Sequence, residues 1–292
     1  MKAKLIDGKA IAAQIREEVQ EEIADILRQG KTPGLAVILV GDDPASHVYV
    51  RQKGIACEKA GIHSITKNLP SDISQRELLE YVQQYNTDPK FNGLLVQLPL
   101  PNHINSQKVI DAIAVEKDVD CFHPYNVGQL IIGKPVFKPA TPAGIVELLR
   151  RSDISVSGKH VVIIGRSNIV GKPLANLLVQ KNPDANAVVT VVHSAAGDIA
   201  HHTRQADILV AAIGKPEFVR GDMIRKDAVV IDVGVNRVDA INDKGYRLVG
   251  DVAFEEACEI ASHITPVPGG VGPMTIAMLL KNTLTAFRLQ NP

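Results

Sequence analysis

The chain has 292 residues, enough for two domains with cores of their own. Lys plus Arg number 32 and Asp plus Glu number 32, so no global field favours nucleic acid or an anionic membrane, and the absence of Trp weakens a base-stacking role further. The three cysteines, Cys57, Cys121 and Cys258, are odd in number and in no metal-ligand spacing; they suit a reducing compartment, and no metal is expected.

The N-terminal stretch MKAKLIDGKAIAAQI carries charges where a signal peptide needs an apolar core, and no apolar run approaches the ~20 residues of a membrane span, so a cytoplasmic protein is expected. Residues 9–29 place Ile11, Ile15, Val19, Ile23 and Leu27 at four-residue steps and stop at Gly30, which predicts a helix. GLAVILV (34–40) and NGLLVQL (92–98) read as buried strands, and IHSITKNL (62–69) as a strand with one wet face. Ser74 is placed to cap a helix through Leu78, Leu79 and Val82. Pro135, Pro139 and Pro142 cluster in GKPVFKPATPAG and mark a boundary, with Thr141 and Pro142 as cap and first turn of the next helix.

Beyond that boundary, KHVVIIG, AVVTVVHS, ADILVAAIG and AVVIDVGVN are four apolar runs with helical segments between them, the pattern of a parallel sheet covered on both faces. The last helix, from about Met274 to Leu289, is expected to return to the first domain.

The helix that begins in GDDPAS carries the first functional signal. Arg51, Glu58 and His47 share one side of it, while Ser46, Tyr49, Lys53, Ala56 and Ala60 share the other, at ~100° per residue. A lone helical lysine is ordinarily a solvated charge. Lys53 instead lies among small and apolar residues, on a helix that starts at the carboxyl end of the 34–40 strand, and Gln97 ends the 92–98 strand. In open α/β sheets that rim is where ligands bind. Unperturbed lysine is neutral in only about one molecule in 2,500 at pH 7, and desolvation raises that fraction. Tyr49 and Gln97 are candidates to hydrogen-bond the amine without pinning its proton, and no carboxylate is visible one turn away, so Lys53 reads as a proton shuttle. The rigid PLP that follows Gln97 fixes where its amide points, with one proline a candidate for a cis bond.

VVIIGRSNIVGKPLANLL (161–178) is a strand, a glycine turn and a helix, with Gly165 and Gly171 six apart rather than in GxGxxG spacing. Such a turn offers N–H groups to a pyrophosphate. The following strand ends in His193 and Ser194 with no acid for a ribose 2′-hydroxyl, and Arg166 projects from the turn, so NADP is expected over NAD. His201 and His202 have no partner pattern and read as surface.

Ser46, Tyr49 and Lys53, VQLPLP (96–101), KDVDCFHP (117–124), PATP (139–142), GRSNIVGKP (165–173) and ITPVPGGVGPMT (264–275) occur together and in order. By these motifs the chain resembles the bifunctional methylenetetrahydrofolate dehydrogenase/cyclohydrolase (FolD) family over essentially its full length. The resemblance implies two three-layer α/β domains with the active-site cleft between them: 1–138 with the helix from about 274–292 as the folate-binding domain, and 139–273 as a Rossmann-like NADP-binding domain. It implies NADP-dependent oxidation of 5,10-methylenetetrahydrofolate to the methenyl form, then hydrolysis to 10-formyltetrahydrofolate, in a homodimer joined through its nucleotide domains.

Carried over by position, Lys53, Tyr49, Gln97 and Asp120 would be catalytic, Asp120 holding the pterin ring by a bidentate match to its N–H donors. Val96, Leu98, Pro268, Gly269, Gly270, Val271 and Gly272 would line the folate pocket with them, and Gly165, Arg166, Ser167, Ser194 and Val235 would hold NADP. Three departures stand out: Cys121 where glycine is common, Ala140 in place of a cysteine, and a longer 181–188 segment, KNPDANAV. The alternatives are a dehydrogenase of the same family without the hydrolase, a non-enzymatic nucleotide-binding protein, and a short-chain-dehydrogenase-like enzyme. In the last the Tyr/Lys pair follows the nucleotide fold, whereas here it precedes it by over a hundred residues.

Overall fold

The computed structural model describes residues 2–241 and 245–292. In chain order its elements are β1 (Lys4–Leu5), α1 (Gly8–Arg28), β2 (Gly34–Val40), α2 (Pro44–Ala60), β3 (His63–Leu69), α3 (Gln75–Thr87), β4 (Gly93–Val96), α4 (Ser106–Asp111), α5 (Pro124–Ile131) and α6 (Ala140–Arg151). Then follow β5 (His160–Ile164), α7 (Gly171–Leu178), β6 (Val188–Val192), α8 (Ile199–Thr203), β7 (Ile208–Ala211), β8 (Val229–Asp232), β9 (Asn236–Asp239), β10 (Tyr246–Val249), α9 (Phe254–Ile260), β11 (His263–Ile264) and α10 (Val271–Gln290). Among the described residues no helix is long and apolar enough to cross a membrane.

The chain divides into two compact units, residues 13–140 with 276–292, and residues 1–12 with 141–275. The sequence grouped residues 1–138. The first twelve cluster with the second unit because β1 pairs with β11 there, Lys4 beside His263 and Leu5 beside Ile264. A two-residue strand gives no periodicity to read.

The first unit is built on a three-stranded parallel sheet in the order β3-β2-β4. All seven residues of β2 are buried, as expected for a central strand covered on both faces. Ala36, Ile38 and Val40 of β2 and Leu94 and Val96 of β4 face Leu78, Val82 and Tyr85 of α3. Each such side chain contributes ~1.5–3 kcal/mol by leaving water. Ser74 caps α3 in a reciprocal box with Glu77. In α1, Ile15, Val19 and Ile23 are buried but Leu27 is 41% exposed and Ile26 takes the inner position. A strict four-residue step drifts ~40° per step from a 3.6-residue helix, and by Leu27 the drift has carried the side chain off the face.

The second unit holds a six-stranded, wholly parallel sheet in the order β1-β11-β8-β7-β5-β6, with the hairpin β9–β10 beside it. The four apolar runs of the sequence are its strands β5 to β8. The helix expected to start at Thr141 starts at Ala140, and the Thr141 hydroxyl lies 3.0 Å from that of Thr275 rather than capping. Helix α10 starts in this unit, and its residues from Ile276 on cluster with the first.

Candidate active site

In the first unit the sheet order itself selects the site. The chain leaves β2 through α2 to β3 on one side, then crosses back through α3 to β4 on the other. The carboxyl ends of β2 and β4 are therefore the point where strand order reverses, the place where open α/β sheets bind ligands. Helix α2 departs from one of these ends, capped by Asp43, whose side chain accepts the N–H of Ser46. Gln97 follows the other.

Lys53 lies in the third turn of α2 on its buried stripe, with Ser46, Val50, Cys57 and Ala60, and is only 8% exposed. Its Nζ donates to Gln97 Oε1 at 2.9 Å. Gln97 is held twice more: its backbone N–H donates to Ile38 O at 2.8 Å and its Nε2 to Leu98 O at 2.7 Å. With the amide nitrogen committed to a carbonyl, only the oxygen faces the ammonium. The Leu98–Pro99 bond is cis, as is Val267–Pro268.

Burial holds the Lys53 amine below the ordinary lysine range, and the charge of Asp120 opposes that shift. The two do not form an ion pair among the described residues. Tyr49, expected as a second hydrogen-bond partner, is 38% exposed and makes no such bond to Lys53 among them, because it sits at the border of the buried stripe. One turn beyond Lys53, burial pushes the Cys57 thiol up to about 12, which leaves it an inert core group.

Asp120 owes its position to its neighbours. Asp118, 1% exposed, accepts the N–H groups of Phe122 and His123 and the Nδ2 of Asn126, so it is Asp118 that organises the turn. The capping of this loop thus belongs to Asp118 and not to Asp120. Lys117, buried, donates to Tyr85 O and Asp88 O at the end of α3. Cys121 adopts φ +59°, and its thiol donates to Phe137 O at 3.2 Å. That left-handed backbone explains why glycine suits the position; a side chain there costs about 1–2 kcal/mol. On the loop's other flank, Asn282 Nδ2 donates to Val119 O at 2.7 Å and Lys138 O at 2.8 Å. With its flanks fixed, the half-buried Asp120 carboxylate accepts no hydrogen bond among the described residues and is free for a ligand. Its burial pushes it up to about 6, with Lys53 pulling down and Asp118 pushing up.

In the second unit the order reverses between β5 and β7. Gly165, at φ +121° after β5, leaves no room for a side chain: a Cβ would sit 2.2 Å from Ala212 O, and one at Gly171 would sit 2.1 Å from Gly165 O. Backbone thus approaches backbone in a cradle that suits a pyrophosphate. The Ser167 hydroxyl accepts the N–H groups of Val170 at 3.1 Å and Gly171 at 3.4 Å, and so engages donors that the sequence offered to phosphate. Arg166 is exposed and without an ion-pair partner among the described residues; Ser194 and Val235 are exposed at the same rim. In the 268–272 stretch Pro268 is exposed, whereas Gly270 and Val271 are buried. The sequence reading missed Asp232 and Asp251, both buried beside glycines in DVG and GDV.

A reversing parallel sheet with a glycine cradle and a separate lysine–glutamine–aspartate cluster defines a class, the dinucleotide-dependent oxidoreductases that also move protons. Two family profiles match the chain: "tetrahydrofolate dehydrogenase/cyclohydrolase, catalytic domain" over residues 6–120 and "tetrahydrofolate dehydrogenase/cyclohydrolase, NAD(P)-binding domain" over residues 139–291. The bifunctional protein FolD of Moorella thermoacetica is 58% identical over 288 residues, covering 99% of this chain and 100% of its own. Among solved structures, FolD of Campylobacter jejuni is 47% identical with a TM-score of 0.92, covering 98% of this chain and 99% of its own. FolD of Trypanosoma brucei, solved with NADP cofactor and inhibitor, is 44% identical with a TM-score of 0.94, covering 99% and 98%. The chain belongs to the tetrahydrofolate dehydrogenase/cyclohydrolase family.

Proposed function

We propose that Lys53 carries the proton transfers of this enzyme, with Gln97 aiming its amine, Asp120 holding the pterin ring and Tyr49 beside them. The enzyme oxidises 5,10-methylenetetrahydrofolate to the methenyl form with NADP and hydrolyses that product to 10-formyltetrahydrofolate. NADP, when bound, supplies the hydride acceptor. Loss of hydride leaves a cation shared by two nitrogens, so this step asks the protein for positioning more than for an acid or base. Hydrolysis asks for more. Water adds to the cationic carbon and must lose a proton; a folate nitrogen must gain one as its bond to that carbon breaks.

The observation that carries the reading is a buried amine whose one hydrogen-bond acceptor among the described residues is an uncharged amide oxygen. Burial lowers its proton affinity against the more distant pull of Asp120, and the amide orients it with no carboxylate bonded to it among the described residues, so the proton can leave and return. The glycine cradle at Gly165 and Gly171 fits the cofactor, with Arg166, Ser167, Ser194 and Val235 as its further contacts, Arg166 being available to a 2′-phosphate. Val96 and Leu98 flank Gln97 as walls for the folate, and 268–272 is the further folate-binding stretch.

Lys53→Ala tests this directly. Cyclohydrolase activity, followed by decay of the methenyl absorbance, should be lost, while NADP affinity measured by calorimetry stays within about twofold. Equal loss of both would remove Lys53 from its role.

The homodimer expected from the sequence is supported by the free edge of the six-stranded sheet, where Val188 is 62% exposed on β6 and Val191 is 36% exposed. We place this pairing at the nucleotide unit and the enzyme in the cytoplasm.

A further inference from the structure

Two aspartates that neither chemical step uses are among the most enclosed polar groups of the second unit. Asp232 ends β8 at 3% exposure, and Asp251 follows β10 at 0%. Asp232 Oδ1 accepts the N–H of Gly234 at 3.0 Å and of Asp251 at 2.9 Å, and its Oδ2 accepts that of Val252 at 3.0 Å. Asp251 Oδ2 accepts the N–H of Ile213 at 2.7 Å and of Gly214 at 2.9 Å, and its Oδ1 accepts Asn236 Nδ2 at 2.9 Å. Asp232 therefore anchors the backbone of Asp251, and Asp251 in turn ties the exit of β7 to the start of β9.

Glycines make the room. A Cβ at Gly250 would lie 1.7 Å from Asp232 Oδ2, and one at Gly234 would lie 2.1 Å from Asp251 Oδ1. Burial pushes the Asp232 carboxyl up to about 7, against the pull of its three N–H donors, and the charge of Asp251 adds to the rise. Two neighbouring buried acids are an unfavourable way to fill a core. Their value lies in what they hold.

What they hold is one wall of the reversal point. Ile213 and Gly214 directly follow Ala212, whose carbonyl oxygen is the atom that a Cβ at Gly165 would strike. The turn after β5 and the exit of β7 are therefore in close backbone contact at the carboxyl ends of the strands where the order reverses, which is where such sheets take a dinucleotide.

We propose that Asp251 is a positioning residue for NADP: its carboxylate, anchored by Asp232, fixes Ile213 and Gly214 against the Gly165 turn and so shapes the rim before the cofactor arrives. This rests on reading the 165–171 turn as the cofactor cradle.

Asp251→Asn keeps the side chain's size but turns one acceptor oxygen into a donor. The full-length variant is assayed for dehydrogenase activity against NADP concentration and, separately, for cyclohydrolase with methenyltetrahydrofolate supplied as substrate. The expected result is a rise of at least tenfold in KM for NADP, a smaller change in dehydrogenase kcat, and cyclohydrolase changed less than threefold. A KM for NADP within twofold of the parent, or both activities falling in parallel, overturns the proposal.

Should Asp251→Asn fail to fold, Asn236→Ala, which deletes one of the donors to Asp251, carries the test: KM for NADP rises about threefold, and an unchanged value overturns it. Arg166→Ala distinguishes the underlying reading. Unchanged NADP affinity in that variant counts against placing the cofactor at this turn, whereas an unchanged Asp251→Asn counts against the positioning role alone.

Discussion

Gln97→Glu puts the proton-shuttle reading under the most direct strain, because replacing the amide nitrogen by oxygen turns the group whose oxygen lies 2.9 Å from the amine into a carboxylate and changes little else. A carboxylate at that distance would attract the ammonium by about 6 kcal/mol at an effective dielectric near 20. Much of this is offset by the desolvation of the new charge and by its second oxygen, which would meet the Leu98 carbonyl now served by Nε2. A net gain of about 2–3 kcal/mol, the usual range for a hydrogen bond to a charged group, remains on the protonated amine. The neutral fraction of Lys53 then falls roughly 30- to 150-fold. Cyclohydrolase turnover at pH 7.5 should fall by that factor and recover as pH is raised, since the proton is held more tightly and leaves at higher pH. Dehydrogenase turnover, which needs no such transfer, should fall less than tenfold. Stopped-flow decay of the methenyl chromophore from pH 6 to 9.5 reads the first quantity, and NADPH formation the second. A Gln97→Glu enzyme with parental hydrolysis at pH 7.5, or with an unshifted pH profile, would refute the reasoning.

Asp120 titrates near 6 when folded, against an ordinary value of 3.8, so the folded state binds its proton more tightly than the unfolded chain does. This carboxylate therefore costs nothing at pH 3 and costs progressively more as pH rises from about 4 to 6, reaching about 2–3 kcal/mol at pH 7. Asp120→Asn should consequently be more stable than the parent at pH 7 and equal to it near pH 3.5 by urea melts, while losing folate affinity; equal stability at both pH values would contradict the burial of this group. For the homodimer, light scattering should give about twice the chain's 31.5 kDa, and Val188→Asp on the β6 edge should halve the measured mass. A monomeric parent would dispose of that placement.

Much of this was legible because the apolar runs are long and the rim residues sit at strand ends. The parallel sheet of the second unit, the cap at Ser74 and the quiet face of α2 follow from periodicity and turn chemistry alone. What escaped was short or long-range. Strands β1 and β11 have two residues each and no pattern to show. The influence of Asp120 on Lys53 crosses 67 positions, and nothing local announces it. Asp118 and Asp120 are alike in sequence, two residues apart, and only the donors around them separate the one that shapes the loop from the one left open. The DVG and GDV pairs did carry a signal, an acid beside a glycine in each, but its meaning lies in backbone N–H groups whose positions no side-chain pattern encodes.

Asn282 gives the first unit an order of assembly. The loop bearing Asp120 is sutured at Val119 and Lys138 by Asn282, and Gln290 adds bonds to Asn92 O and Glu116 O. A ribosome that has released only the first 270 residues has therefore made Lys53, Gln97 and Asp120 but cannot yet have fastened the loop that carries the last of them. Removing Asn282 would loosen the Asp120 loop more than a hundred and fifty residues upstream.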